Sequence, residues 1–179
     1  MTRNLTGTEL KRLHRDWRRR TTGRLTLILD GVQGPFNVGA IIRTAAAERV
    51  EHIWFAAGAT TPENTKVGKT ALGTDRYLTW SVVDESSEAI AEATEMGYRP
   101  IGVELGEGAV PLHEIDLSGD NALVLGHEDR GLAKATFAAC DAIGFVPQLG
   151  KVASLNVSTA ASIAMYEVRR QSWTSSSKG

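Results

Sequence analysis

Residues 25–46 read LTLILDGVQGPFNVGAIIRTAA: a short apolar run, a turn that contains glycine, and then an apolar pattern of helical period. The run Leu25–Leu29 predicts a buried strand that ends at Asp30-Gly31. Asn37 is predicted to cap the following helix, whose apolar residues recur at three- and four-residue intervals from position 38. A strand, a turn and a helix in this order form the repeating unit of an α/β fold.

The same alternation continues along the chain. Further strands are predicted at residues 52–56, 77–83, 99–105, 121–126 and 142–146, and helices at 86–96, 133–139 and 155–170. This order predicts an α/β fold with a mostly parallel sheet flanked by helices. No linker divides the sequence, so we expect one domain at 25–171, a basic arm at 1–24 and a flexible tail at 172–179.

The composition excludes several classes of protein. With 179 residues, of which 42% are hydrophobic and 23% charged, the chain is expected to be globular rather than disordered. Its one cysteine, Cys140, excludes an intramolecular disulfide framework and suits a reducing compartment. No apolar run reaches the roughly 20 residues of a membrane helix, and the N-terminus does not resemble a signal peptide. We therefore expect a cytoplasmic protein without a membrane partner.

The net charge of -1 conceals a strongly basic N-terminal arm. Residues 1–24 carry eight Lys and Arg against two acids, so the remainder carries 12 against 19. Leu10, Leu13 and Trp17 have the spacing of an amphipathic helix that packs on the body through Leu13 and Trp17. Such an arm indicates a polyanionic partner, although a solvated helix face or a flexible tail would carry the same charge.

Three segments combine a strand end, a turn that contains glycine, and the start of a helix. They are DGVQGPFNVGAIIRTA (30–45), LVLGHEDRGL (123–132) and FVPQLGKVASLNVS (145–158). Ligands of open α/β sheets bind beyond the carboxyl ends of the strands, which is where these segments lie. Neither a G-x-G-x-x-G fingerprint nor a P-loop is present, which argues against a nucleotide-dependent oxidoreductase.

In this order, the three segments resemble the motifs of the SpoU-class RNA 2′-O-ribose methyltransferases of the SPOUT superfamily. The family patterns are N-x-x-x-x-x-R-T-A, matched from Asn37, G-x-E-x-x-G-L, matched from Gly126, and P-x-x-G-x-x-x-S-L-N-V-S, matched from Pro147. The resemblance covers residues 25–171. It implies S-adenosylmethionine as methyl donor, a SPOUT fold with a deep C-terminal trefoil knot, and a homodimer whose active site uses both subunits. It implies no metal, and the sequence has no Cys/His ligand cluster.

The resemblance also implies which residues contact the donor. By motif position these are Val103, Glu104, Gly126, Val146 and Leu155. Glycine at position 126 is expected to permit close approach to the ligand, because a Cβ would collide with it. Ordinary core packing is the alternative for Val146 and Leu155.

Arg43 is the residue that the resemblance marks as catalytic, with a solvated surface arginine as the alternative. A guanidinium is effectively always protonated. We therefore favour a role in stabilising the developing ribose alkoxide and clamping a phosphate over the base role usually given to this residue. The other catalytic candidates are Asn37, Glu128, Ser154 and Asn156. Glu128 is a candidate to position Arg43 or an RNA group, and satisfying its own turn is the alternative.

The layout, a short basic arm before the first strand with no room for a separate RNA-binding domain, looks most similar to the tRNA enzymes that methylate guanosine 18 in the D-loop. The candidate RNA-binding residues are Arg12, Arg15, Arg18, Arg19 and Arg20 of the arm, and Lys66, Lys69 and Arg76 of a second basic loop. The alternatives are the same methylation on 23S rRNA or at another tRNA position, and a non-catalytic RNA-binding protein that retains the fold. No DNA partner is expected.

Overall fold

A seven-stranded sheet organises the part of the chain that the structure describes, residues 3–175. In this computed structural model the strand order is β3-β2-β1-β6-β4-β7-β5, and all neighbouring strands are parallel. The strands are β1 (Leu25–Asp30), β2 (His52–Ala56), β3 (Thr79–Val82), β4 (Arg99–Val103), β5 (Val110–Pro111), β6 (Asn121–Gly126) and β7 (Ala142–Phe145). Strands β1 and β6 are buried along their whole length, as expected for central strands covered on both faces.

Helices cover both faces of the sheet, which confirms the predicted α/β class. They are α1 (Gly7–Arg20), α2 (Pro35–Ala47), α3 (Thr65–Ala71), α4 (Ser86–Glu95), α5 (Lys134–Ala139) and α6 (Val157–Ser175). One buried apolar cluster contains residues of α2, α3 and α6, and a second lies against α4 and α5. None of the helices within residues 3–175 is both long and apolar enough to cross a membrane.

Several element boundaries differ from the sequence prediction. Helix α6 begins at Val157 and continues to Ser175, so residues 172–175 belong to it rather than to a tail. The last four residues of the predicted tail, 176–179, lie outside the described residues. Strand β3 is shorter than predicted because Tyr77 belongs to a 3-10 turn, Thr74–Tyr77. Strand β5 was not predicted, since two residues are too few to show a period.

The predicted second basic loop is wrong, because residues 65–71 form α3. The Asn64 side chain accepts a hydrogen bond from the Lys66 N–H and so caps this helix. Val67 and Ala71, four residues apart, are its buried face. Close packing on α2 depends on Gly39, where a Cβ would lie 2.6 Å from the Thr70 Cβ. The sequence did not predict this helix because its two apolar residues stand among Thr, Lys and Gly, which are common in loops.

The basic arm is helical, as predicted, but it packs differently. Helix α1 begins with a capping box in which Thr6 and Glu9 bond each other's backbone N–H. The Trp17 ring lies 4.8 Å from that of Trp173, and the Trp173 indole N–H donates to Thr21. Leu13 is 42% exposed and no residue of α1 is buried. Aromatic contact with the end of α6, rather than Leu13, therefore holds the arm.

Candidate functional site

The ends of three strands, β4, β6 and β7, converge at the carboxyl edge of the sheet. Between them lies a cleft of about 290 Å³, lined by the last residues of these strands, by the loops that follow them and by the start of α6. All five predicted donor contacts, Val103, Glu104, Gly126, Val146 and Leu155, line this cleft, and so do Glu128 and Ser154. The five predicted contacts, which span 52 positions of the sequence from Val103 to Leu155, therefore share one cavity.

The structure gives a backbone reason for glycine at position 126. A Cβ there would meet the backbone of Gly131 and Leu132. The segment after β6 folds back on itself, with His127 and Gly131 exchanging backbone hydrogen bonds of 3.1 and 2.8 Å. Gly126 therefore allows this turn to close against the end of β6.

Glu104 holds the same turn from the side of β4. One of its carboxylate oxygens accepts from the Leu132 N–H at 3.1 Å, and the other from the Leu105 N–H at 3.0 Å. Its carboxylate thus joins the loops after β4 and β6. Glu104 lines the cleft, and both of its carboxylate oxygens accept hydrogen bonds from backbone N–H groups.

Asn37 is not the cap of α2, so that prediction is wrong. The cap position is Gly34, Pro35 occupies the start of the helix, and Asn37 lies in the first turn. Its side-chain amide N–H donates to Glu128 Oε1 at 3.0 Å, and its carbonyl oxygen accepts from Asn156 at 2.9 Å. One side chain from each of the three motifs therefore joins a single hydrogen-bonded chain, which we call the motif triad (Asn37, Glu128 and Asn156).

Glu128 supplies the cap that α2 lacks within its own segment. Its carboxylate accepts from the backbone N–H groups of Gly34 at 2.7 Å and Gln33 at 3.1 Å, where the positive end of the helix dipole favours an anion. Burial alone would raise the pKa of Glu128, but the bonds from Asn37 and the backbone bring that pKa below its ordinary value. A Cβ at Gly34 would lie 2.6 Å from Glu128 Oε1, so glycine permits the contact.

The lowered pKa of Glu128 predicts a pH-dependent contribution to stability. A depressed pKa stabilises the fold above the unfolded value of about 4.3, and the contribution is lost as pH falls through the folded value. We expect Glu128→Gln to cost about 1–2 kcal/mol at pH 7, or a few degrees in Tm. This difference from the wild type should shrink below about pH 4.

Thermal melts between neutral pH and pH ~3 measure this difference. Asp129→Asn is the matched control, because it removes the neighbouring charge from an exposed side chain that makes no hydrogen bond within residues 3–175. A difference between wild type and Glu128→Gln that stays constant across this range would contradict the assignment.

Asn156 and Ser154 occupy different environments within the third motif. The Asn156 side-chain oxygen accepts from Ser158 N–H at 2.9 Å and from Thr159 N–H at 3.3 Å, which caps α6. Ser154 is exposed at the cleft and makes no hydrogen bond with the described residues. Of these two catalytic candidates, Asn156 therefore has a structural role. The Ser154 side chain is part of the cleft lining, and its hydroxyl has no hydrogen-bond partner among residues 3–175.

Arg43 lies outside this cleft in the single chain. It is exposed on α2, six residues or about 9 Å along the axis from Asn37. Its side chain makes no hydrogen bond or ion pair with residues 3–175, and it is absent from the cleft lining. The fold brings the motif triad and the donor candidates together but leaves Arg43 apart from them.

Sequence reasoning missed Gln148. Its side-chain oxygen is buried, lines the cleft, and has no hydrogen-bond partner among the described residues. A buried acceptor without a donor is costly unless something else satisfies it. Its position between Pro147 and Gly150 of the third motif was the available signal.

The candidate RNA-binding residues lie on exposed surfaces. Arg12, Arg15, Arg18, Arg19 and Arg20 are exposed along α1, and Lys66 and Lys69 along α3. Arg76 packs over the Tyr77 ring at 4.8 Å. Two other cations of the arm are paired, Arg3 with Glu9 and Arg24 with Asp120. Within the described range, no group of three or more His, Cys, Asp or Glu side chains could hold a metal ion.

Comparison with known proteins identifies relatives of this chain. The sequence profile of the SpoU rRNA Methylase family matches residues 24–166. A 23S rRNA (guanosine-2′-O-)-methyltransferase of Xylella fastidiosa is 38% identical over 147 residues, which are 82% of this chain and 59% of that protein. The chain therefore spans about three-fifths of the length of that curated relative.

Solved structures share the fold. The SpoU methyltransferase AviRb from Streptomyces viridochromogenes, in complex with the cofactor AdoMet, has a TM-score of 0.77 and 26% identity, covering 84% of this chain and 61% of that one. A TrmH/SpoU tRNA modifying enzyme of A. aeolicus has a TM-score of 0.73 and 25% identity, covering 90% of this chain and 83% of that one.

Proposed function

This chain belongs to the SpoU rRNA methylase family, and from that membership we propose that it transfers a methyl group from S-adenosylmethionine to a ribose 2′-hydroxyl of RNA. The observation that carries the proposal is the convergence of all five predicted donor contacts on one cleft at the carboxyl edge of the sheet. Three separate motifs supply those residues and the motif triad that ties the loops together. Action on RNA fits a location in the cytoplasm.

The cleft residues suit the proposed donor. The volume of the cleft, about 290 Å³, is close to the lower limit of about 300 Å³ for small-molecule sites. The buried Gln148 oxygen needs a hydrogen-bond donor, which an amino or hydroxyl group of the nucleoside or the methionyl ammonium can provide. Val103, Val146 and Leu155 offer apolar contacts to a bound donor. When bound, S-adenosylmethionine supplies a methyl group activated by a sulfonium.

We call the cleft lined by Val103, Glu104, Gly126, Val146 and Leu155 the donor cleft. The residues around it would orient the acceptor ribose and stabilise the charge that develops on its 2′-oxygen. The motif triad fixes the start of α2 against the loops after β6 and β7, and so sets where that helix points. Arg43, carried on α2, presents a guanidinium to the 2′-oxygen as negative charge develops there. The same guanidinium can hold an adjacent phosphate. Ser154 offers a free hydroxyl at the cleft.

The proposed active form is a homodimer in which Arg43 of one chain serves the cleft of its partner. The exposure of Arg43 outside the cleft of its own chain supports this arrangement. So do large apolar side chains left exposed on the third motif and on the helices beside it: Phe36, Leu149, Val152, Ile163 and Tyr166. Exposed apolar surface of this kind marks protein interfaces.

The proposed SPOUT fold includes a C-terminal trefoil knot. Gln171 of α6 accepts from the Leu117 N–H at 2.8 Å and donates to the Ile115 carbonyl at 3.0 Å. These bonds tie α6 to the segment between β5 and β6. In the proposed knot, α6 and this segment would lie against each other in this way.

Ribosomal RNA is the substrate we propose, in place of the tRNA guanosine 18 expected from the layout. The name of the 38% identical relative specifies 23S rRNA, which favours the alternative reading of the sequence. Transfer RNA is the second candidate, because the A. aeolicus tRNA modifying enzyme is matched over 83% of its own length. In either case the exposed arginines of α1 would meet RNA phosphates, which position a substrate without specifying its sequence.

Methyl transfer from labelled donor tests the proposal. The purified protein is incubated with labelled S-adenosylmethionine and, in separate reactions, with unmodified 23S rRNA and unmodified tRNA transcripts. We expect label in the rRNA, at a ribose that then resists alkaline cleavage of the following phosphodiester. Label in tRNA alone would transfer the proposal to the second substrate. No transfer to either RNA by a protein that binds the donor would overturn the enzymatic proposal and leave an RNA-binding protein.

A further inference from the structure

A second cavity, which we call the arm cleft, lies between α1 and the carboxyl-terminal ends of α2 and α6. At about 550 Å³ it is larger than the cleft at the carboxyl edge of the sheet, and it falls within the size range of small-molecule sites. Its lining combines cationic and aromatic side chains, among them Lys11, Arg18, Arg49, Trp17, Tyr77 and Trp173. Neither the donor nor the proposed reaction uses these residues together.

The charge of the arm cleft is positive, and the side chains of residues 3–175 do not neutralise it. The side chains of Lys11, Arg18 and Arg49 are exposed and make no hydrogen bond or ion pair with residues 3–175. Arg169 also lines the cleft, but it is buried and donates to the carbonyls of Glu48, Arg49 and Gly23. The one carboxylate in the lining, Glu48, lies beside Arg169. The arm cleft therefore suits an anion.

Arg49 has a backbone conformation that glycine would adopt more easily. Its φ is 56°, in the left-handed region, where a side chain is strained. A residue with left-handed φ just after the end of a helix is most often glycine. The side chain of Arg49 borders the arm cleft, so glycine at this position removes that side chain without straining the backbone.

The arm cleft also carries an exposed aromatic ring, which suits a nucleobase in addition to an anion. Tyr77 is 66% exposed, and Arg76 lies over its ring at 4.8 Å. Cations beside exposed aromatic rings are the combination that binds single-stranded nucleic acid, since phosphates contact the cations and bases stack on the rings.

We propose that the arm cleft binds one nucleotide of a single-stranded segment of the RNA substrate, with its phosphate on Lys11, Arg18 and Arg49 and its base on Tyr77. The inference rests on the proposed function, because it takes RNA as the substrate. The cleft lies at the far end of α2 from Asn37, and that helix of 13 residues is about 20 Å long. The nucleotide held there therefore lies away from the donor cleft of the same chain, which the motif triad borders.

Two substitutions test the arm cleft without loosening the fold. Arg49→Gly removes the cation and relieves the left-handed strain, so its Tm should equal or exceed that of the wild type. Tyr77→Ala removes the ring, and Tyr77→Phe keeps it. Lys134→Ala, which removes an exposed cation from α5 on the opposite face of the sheet, is the matched control.

Binding is measured by fluorescence anisotropy with a labelled single-stranded RNA of about 12 nucleotides. We expect Arg49→Gly and Tyr77→Ala each to weaken binding about five- to tenfold or more, while Tyr77→Phe and Lys134→Ala bind like the wild type. In methyl transfer, the first two should raise KM for RNA and leave kcat unchanged. Unchanged affinity in both, equal losses in Tyr77→Phe and Tyr77→Ala, or no binding by the wild type would each overturn the arm cleft.

The outcomes separate this inference from the proposed function. Methyl transfer with an unchanged KM in the cleft variants would overturn the arm cleft and leave the enzymatic proposal intact. Weakened RNA binding in those variants, combined with no methyl transfer by the wild type, would support the arm cleft and overturn the reaction.

Discussion

Arg43→Ala is expected to lower the rate of methyl transfer about 10²–10³-fold, the usual loss when one group that stabilises transition-state charge is removed. The physical reason is that the 2′-oxygen acquires negative charge as it attacks, and a guanidinium that remains protonated can balance that charge. Arg43 is exposed and makes no hydrogen bond or ion pair within residues 3–175, so the fold should not depend on it. Surface substitutions of this kind change stability by about 0.5 kcal/mol or less.

Arg43→Lys distinguishes charge from proton abstraction. Lysine keeps the positive charge but loses the planar fork of donors, so we expect it to retain substantially more activity than alanine. The measurement is single-turnover methyl transfer with saturating donor and RNA, alongside Tm and donor affinity, which should match the wild type. Lys134→Ala controls for the loss of an exposed cation. A lysine variant as inactive as alanine would contradict the charge role and favour the base role.

Mixed dimers are expected to recover about half of the wild-type activity from two inactive chains. One chain carries Arg43→Ala with an intact donor cleft. The other carries Leu155→Arg, which places a large charged side chain in the cleft lining but keeps Arg43. If Arg43 acts on the partner's cleft, the first chain's cleft receives an intact arginine, so one of the two sites in the dimer becomes complete.

The experiment requires dimers of defined composition. The two chains are co-expressed with different affinity tags and purified in sequence, and each parental homodimer is assayed separately and should be inactive. Light scattering establishes the number of chains in each preparation. A mixed dimer as inactive as its parents would show that Arg43 serves the cleft of its own chain, and a monomeric wild type would contradict the dimer itself.

Local patterns predicted the central strands well. The boundaries of β2 and β6 agree with those read from their apolar runs, and the predicted β1 ends one residue short. A buried parallel strand is apolar on both faces, so its sequence records its position directly. One helix was missed altogether. Helix α3, predicted as a loop, has only two buried residues, Val67 and Ala71, and one turn of apolar spacing is too short a signal.

The role of Asn37 shows why the site could be predicted in outline but not in detail. As an isolated residue after a glycine-containing turn, it matches the profile of a helix cap. Its actual partners, Glu128 and Asn156, are 91 and 119 positions away in the sequence. The motif order indicated that these segments meet, whereas the pairing of their side chains depends on the strand order, which places β6 beside β1.

The amino-acid sequence was sufficient to determine the α/β class and the glycine-containing turns at the strand ends, because burial period and turn chemistry are local properties of the chain. The residues expected at the donor cleft came from the resemblance of the three motifs to a known family. The tertiary structure decided that Gly126 serves a backbone turn, that Arg43 stands apart from the cleft of its own chain, and that an arm, a helix end and a 3-10 turn enclose a second cavity. Each of these depends on contacts between distant segments, which sheet order and helix packing create and no local pattern records.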